Sequence, residues 1–310
     1  MFRPTRCFLL LGVWVGLVTP FGCSLPVPVP KPIKAGVIEL GAKHDSETAG
    51  TISGHIRWQG PVPELKPQIG VVPDGAAYRW IAVTNPFVPQ VDPVSHGIAN
   101  ALVYLKKVDP ARSKPWDRPP LRVEHRDFRI QLQQGEMPQS VAVVRTGADV
   151  QMVSHDPELH TLRARGAAFF SLEFPESNKS LTRSFDRSGI VELTSGAGYY
   201  WLAADVLVTE HPYAAITQSD GRFELKAVPS GEYEIVCRVR NWQITSVETD
   251  PETGLFFRQK YAAPLELTTS IVVPAKGRVE QSWTVTESQF NGVTPSTIHH
   301  RGHGEPQRKP

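Results

Sequence analysis

The chain has 310 residues, enough for about two ordinary domains of roughly 100–200 residues each. Apolar residues make up 40% and charged residues 21%, which excludes both wholesale disorder and a bundle of membrane helices. The formal charge is only +2 and no long basic stretch is interleaved with aromatics, so nucleic acid is not an expected partner.

In chain order, the first element is a leader. Arg3 and Arg6 precede the apolar run from Phe8 to Val18, followed by Pro20, Gly22 and Cys23. A positive start and an apolar run of about 7–15 residues make a secretory signal, too short to span a bilayer. Residues 1–23 are read as this signal, so the protein is expected in the periplasm or cell envelope. Cys23, after the small Gly22, is similar to the acylated cysteine of bacterial lipoproteins, although Pro20 and Phe21 stand where leucine and a small residue are usual. Acylation, with membrane attachment through that lipid, and plain cleavage both remain open. Residues 24–49 read as a proline-rich linker, since Pro26, Pro28, Pro30 and Pro32 favour an extended, stiff chain.

From Gly50 onward, short β-rich runs recur between turn signals: 51–58, 99–105, 128–132, 141–144 and 150–153. Asp220-Gly221 and Pro229-Ser230-Gly231 then punctuate further runs, one of which places Tyr233, Ile235, Cys237 and Val239 on one face. Runs 270–274 and 281–285 close the series. This spacing, with no convincing amphipathic helix, predicts an all-β protein of two β-sandwich domains. The boundary is placed near Glu210-His211-Pro212, giving domains 50–210 and 211–288 and a polar, disordered tail over 289–310 that carries His299, His300 and His303. Cys237 is the one cysteine outside the leader, so a buried structural thiol is expected and a disulfide framework is not.

Two resemblances follow from these strings. The stretch from Asp220-Gly221-Arg222-Phe223-Glu224-Leu225 to Pro229-Ser230-Gly231-Glu232-Tyr233-Glu234-Ile235 resembles a carboxypeptidase regulatory-like domain, a transthyretin-like β-sandwich that serves secreted bacterial proteins as a non-catalytic module. Residues 50–210 resemble a Greek-key cupredoxin-like domain. That likeness is carried by Gly97-Ile98-Ala99-Asn100-Ala101-Leu102-Val103-Tyr104-Leu105, by Asp156-Pro157-Glu158-Leu159-His160 and by His211-Pro212-Tyr213.

The cupredoxin resemblance implies a copper site of two histidines, a cysteine and a methionine. Counted back from His211, the cysteine falls on Gly196, the second histidine on Tyr199 and the methionine on Leu202, so only His160 is kept. A type-1 site requires the thiolate; no copper cofactor is therefore expected. His155 and His160 flank Asp156 and are candidate ligands for another ion, zinc or Cu(II), with polar loop residues as the alternative. Tyr199, Tyr200 and Trp201 occupy the missing copper loop. Consecutive residues of a strand cannot all face the core, so at least one ring is expected at the surface to meet a partner protein or glycan. Filling the vacated volume is the alternative.

Catalytic patterns are absent: there is no His-Glu-x-x-His, Gly-x-Ser-x-Gly or phosphate loop. Ser154-His155-Asp156 holds triad residue types at adjacent positions, where side chains diverge. Glu173 and Glu176 read as solvated carboxylates. The expected function is an exported, non-enzymatic binding or scaffolding module whose partner is an envelope protein or glycan. The alternative is a metal-binding or electron-transfer protein using His155 and His160.

Overall fold

The computed structural model describes residues 44–290 except 137, 250, 253 and 255. The signal, Cys23, most of the linker and the three tail histidines lie outside the described residues. Within them the chain is all β, arranged as sandwiches, and its helical turns are the short 3₁₀ segments Pro110–Arg112 and Glu287–Gln289. Among the described residues no helix is long and apolar enough to cross a membrane. Order reaches further into the tail than expected, because Phe290 is buried with its ring 4.6 Å from Trp242 and 6.1 Å from Trp58.

Strand Gly50–Gln59 alternates, turning Ile52, Ile56 and Trp58 inward. It pairs antiparallel with Arg222–Val228, Ile52 opposite Leu225, and in parallel with Arg278–Glu280 and Trp283–Thr286. The facing sheet runs Ala214–Ile216, Leu102–Lys106, Gly231–Val239, Leu265–Val273. Tyr233, Ile235, Cys237 and Val239 meet Val103, Leu105 and Ile52 in one apolar core, and burial drives the Cys237 thiol well above its ordinary pKa.

This first sandwich therefore draws strands from both sides of residues 210/211, and the linear division into 50–210 and 211–288 does not follow the sheets. Two motifs assigned to different domains touch: a Cβ on Gly97 would strike the backbone of Asp220, so only glycine fits. The Asp220-Gly221 turn also does not close a two-stranded hairpin. It carries the chain from Ala214–Ile216 in one sheet to Arg222–Val228 in the other, with Gly221 at φ 79°.

A second sandwich is inserted between Leu102–Lys106 and Ala214–Ile216. One sheet runs Val141–Arg145, Ala203–Thr209, Gly189–Ser195, His160–Gly166, Phe170–Phe174. The other runs Leu181–Ser184, Asp149–Ser154, Arg122–Arg126, Arg129–Gln133, Pro138–Gln139. Strand Ala203–Thr209 is buried on both faces. Ala204, Val206 and Val208 enter the inserted core, while Leu207 packs with Leu102, Val141, Val143 and Ala214 between the sandwiches. Asp205 shares that joint with Arg238 at 3.4 Å and Arg240 at 3.0 Å.

Candidate functional site

The site lies at one end of the inserted sandwich and begins with a turn. Strands Arg122–Arg126 and Arg129–Gln133 pair with Arg126 opposite Arg129, leaving a two-residue loop of Asp127 and Phe128. Both have positive φ, 51° and 54°. Such a turn suits the right-handed twist of a hairpin but strains residues with a Cβ, a bulky ring most of all. The Asp156 carboxylate holds it, accepting from the backbone N–H of Asp127 at 2.7 Å and of Phe128 at 3.0 Å. Burial opposes charge on Asp156. His160 and the two N–H donors outweigh it and keep the carboxyl below its ordinary pKa.

His160 opens strand His160–Gly166 and is fully buried, its Nε2 2.8 Å from Asp156 Oδ2. Its ring stacks on His125 at 4.7 Å and meets Phe128 at 5.4 Å and Tyr199 at 5.3 Å. His125 is equally enclosed, edge-on to Phe174, and neither ring nitrogen finds a hydrogen-bond partner. Burial, followed by the adjacent His160, lowers its pKa to about 3 against the weaker pull of Asp156.

Residues 196–202 form a turn rather than a strand, and the strand alternation rule does not govern them. The expectation of an exposed ring is accordingly overturned: Tyr199, Tyr200 and Trp201 are all buried. Trp201 Nε1 donates to the carbonyl of Phe128 at 2.9 Å, and Tyr200 donates to the carbonyl of Ile69 at 3.1 Å. The lid over these rings is the hairpin Gln68–Asp74/Ala77–Val83. Gly70 lets it seat, since a Cβ there would lie 2.7 Å from the Trp201 ring. Tyr200→Phe is expected to cost about 1 kcal/mol in urea unfolding, the usual net worth of one hydrogen bond; an unchanged midpoint would mean that Tyr200 does not fasten the lid.

The structure thus brings His160 and Tyr199 together but separates His155 from His160. His155 turns to Asn178, Nδ1 to Oδ1 at 2.7 Å, and to Glu124, Nε2 to Oε2 at 3.3 Å. His155 and Asp156 face different partners, and the Ser154 hydroxyl is buried without one. Among the described residues no group of three or more His, Cys, Asp or Glu converges on a common point as a metal site. Sequence reasoning missed His125 and Phe128. The signal for His125 is slight: Leu121, Val123 and His125 fall on alternate positions, and all three are buried.

No protein-family model matches the chain, and no curated protein matches it. Similar solved structures include a Cu(I) amicyanin variant, 13% identical with a TM-score of 0.24, matched over 29% of this chain and 81% of that one. A reduced Cu(I) amicyanin variant at pH 4 is 12% identical, TM-score 0.24, over 34% of this chain and 97% of that one. A heme-copper terminal oxidase dimer is matched at 12% identity and TM-score 0.24, over 34% of this chain and 78% of that one. These are partial likenesses to cupredoxin folds, and the all-β sandwich architecture rests on the strand pairings described above.

Proposed function

We propose that this is an exported, non-enzymatic β-sandwich protein, a binding module of the cell envelope without type-1 copper, with Cys23 as its candidate lipid attachment. One observation carries the reading. The end of the inserted sandwich is closed by a hairpin whose outer face is apolar and aromatic: Ile69, Tyr78 and Trp80 are 63%, 73% and 65% exposed, and the register puts Val71 and Pro73 on the same face. An exposed apolar patch of this kind suits contact with a partner. The donors around His160 do not suit blue copper, because Gly196, Tyr199 and Leu202 offer no thiolate and Cys237 lies in the other core.

Two measurements test the reading. Titration with Cu(II) and with Zn(II) is expected to give no stoichiometric uptake and no intense thiolate-to-copper absorption. Sedimentation with isolated envelope material is expected to carry the chain down, and Tyr78→Ser/Trp80→Ser to release it with an unchanged unfolding midpoint. Stoichiometric metal uptake lost in His155→Ala or His160→Ala would replace this reading with the metal-binding one. Failure to sediment would overturn the envelope role.

A further inference from the structure

We propose that a basic cleft on the outer face of strand His160–Gly166 binds an anionic saccharide, a sugar carrying carboxylate or phosphate; this rests on the binding-module reading and names its ligand. The cleft encloses about 410 Å³ between that strand and the hairpin Ile244–Thr249/Phe256–Tyr261, within the roughly 300–1,000 Å³ of small-ligand sites. Leu162 and Ala164 point into the core, so Arg163 and Arg165, on the alternate positions, share the outer face. On the opposite wall Arg258 and Lys260 likewise stand two residues apart. Arg240 completes the set.

The charges do not balance. Arg240 is satisfied by Glu192 at 3.2 Å and Asp205 at 3.0 Å. Arg258 and Lys260 share Glu248, at 3.5 Å and 3.1 Å. Arg163 and Arg165 make no ion pair among the described residues. Glu192, the cross-strand neighbour of Arg165, is engaged by Arg240, and Glu173 sits opposite Thr161 outside the cleft wall. Five cations against three carboxylates leave an excess of two, concentrated on two arginines whose forked donors match carboxylate and phosphate oxygens.

The rest of the lining selects a sugar over a bare ion. Phe257 is 44% exposed and offers ring surface for the C–H face of a pyranose, while Thr194 supplies a neutral hydroxyl for the sugar's own hydroxyls. Gly196 lets the turn pack directly against the arginine strand, because a Cβ there would lie 2.7 Å from Thr161 Cγ2 and 3.0 Å from Arg163 Nε.

The test is calorimetric titration of the full chain with trigalacturonate, glucose 6-phosphate, neutral maltotriose and an oligothymidylate. A salt-sensitive affinity for the uronate, the sugar phosphate or both is expected, with none for maltotriose, and the two anionic probes separate carboxylate from phosphate recognition. Arg163→Gln and Arg165→Gln should each weaken binding about tenfold, one charge-assisted hydrogen-bonding group apiece, without moving the unfolding midpoint. No binding of either anionic sugar, equal binding of maltotriose, unaltered affinity in the double variant, or tighter binding of the oligonucleotide would each overturn the proposal. A chain that takes no anion yet sediments with envelope and takes no metal overturns this inference alone.

Discussion

Asp205→Ala is expected to lower the stability of the protein by about 3 kcal/mol, the lower end of what breaking a buried ion pair from one side costs. Asp205 sits on the doubly buried strand Ala203–Thr209, and its side chain is almost fully enclosed. Arg238 is buried beside it, and Arg240, only partly exposed, also stacks on Phe87 with its guanidinium carbon 3.7 Å from the ring centroid. Removing the carboxylate strands positive charge between two sandwiches. The loss stays at the lower end because Arg238 keeps Glu266 at 2.8 Å and Arg240 keeps Glu192. Glu266 is itself well exposed, so Glu266→Gln should cost no more than about 1 kcal/mol. Urea unfolding of both variants checks the contrast. Equal midpoints for the two would show that the buried carboxylate contributes no more than a surface one.

The second large effect is acid lability well above the carboxylate range. In the unfolded chain His125 and His211 titrate near their ordinary 6.5, whereas in the fold burial holds His125 down to about 3 and His211 to about 4. Between those limits the unfolded state binds more protons than the folded one, so stability rises with pH. The contribution is complete above about pH 6.5 and drains away as pH falls towards 4. Each pH unit in that window removes up to about 1.4 kcal/mol for each histidine. Asp156, whose pKa is lowered, extends the loss in the same direction at lower pH. Urea midpoints measured at several pH values should fall steadily through the window. In His125→Phe, which keeps the stacked ring and removes the proton site, the slope should shrink by about half. A flat wild-type profile, or an unchanged slope in the variant, would mean that burial does not hold His125 unprotonated in the native state.

Much of the architecture was legible because strand alternation is a local signal. The inward set Tyr233, Ile235, Cys237 and Val239 was readable without knowing what it faces. Pairing was not readable in the same way. Ile52 meets Leu225, and Gly97 meets Asp220, through backbone approaches between distant segments, and no local pattern reports them. The site was hidden for two further reasons. Asp127-Phe128 adopts a turn that ordinarily asks for Asn-Gly, and it does so only because Asp156 caps it from elsewhere in the chain. The strand rule does not apply to Tyr199, Tyr200 and Trp201 because they lie in a turn, and the lid that buries them carries its own signal, Asp74-Gly75 between alternating apolar residues.

The insertion of one sandwich within another also orders events in time. As the chain emerges from its N-terminus, strand Gly50–Gln59 appears long before Arg222–Val228 and Trp283–Thr286, and until they arrive its apolar face has no sheet to join. Residues 122–209 contain both sheets of the inserted sandwich and can close first. Where the chain passes into and out of that insert, the N–H of Leu105 donates to the carbonyl of Tyr213 at 3.1 Å. Folding of the insert thus brings the two ends together and shortens the loop that the outer sandwich must still close. The outer sandwich can close only once Arg222–Val228 and Trp283–Thr286 are available to pair with Gly50–Gln59.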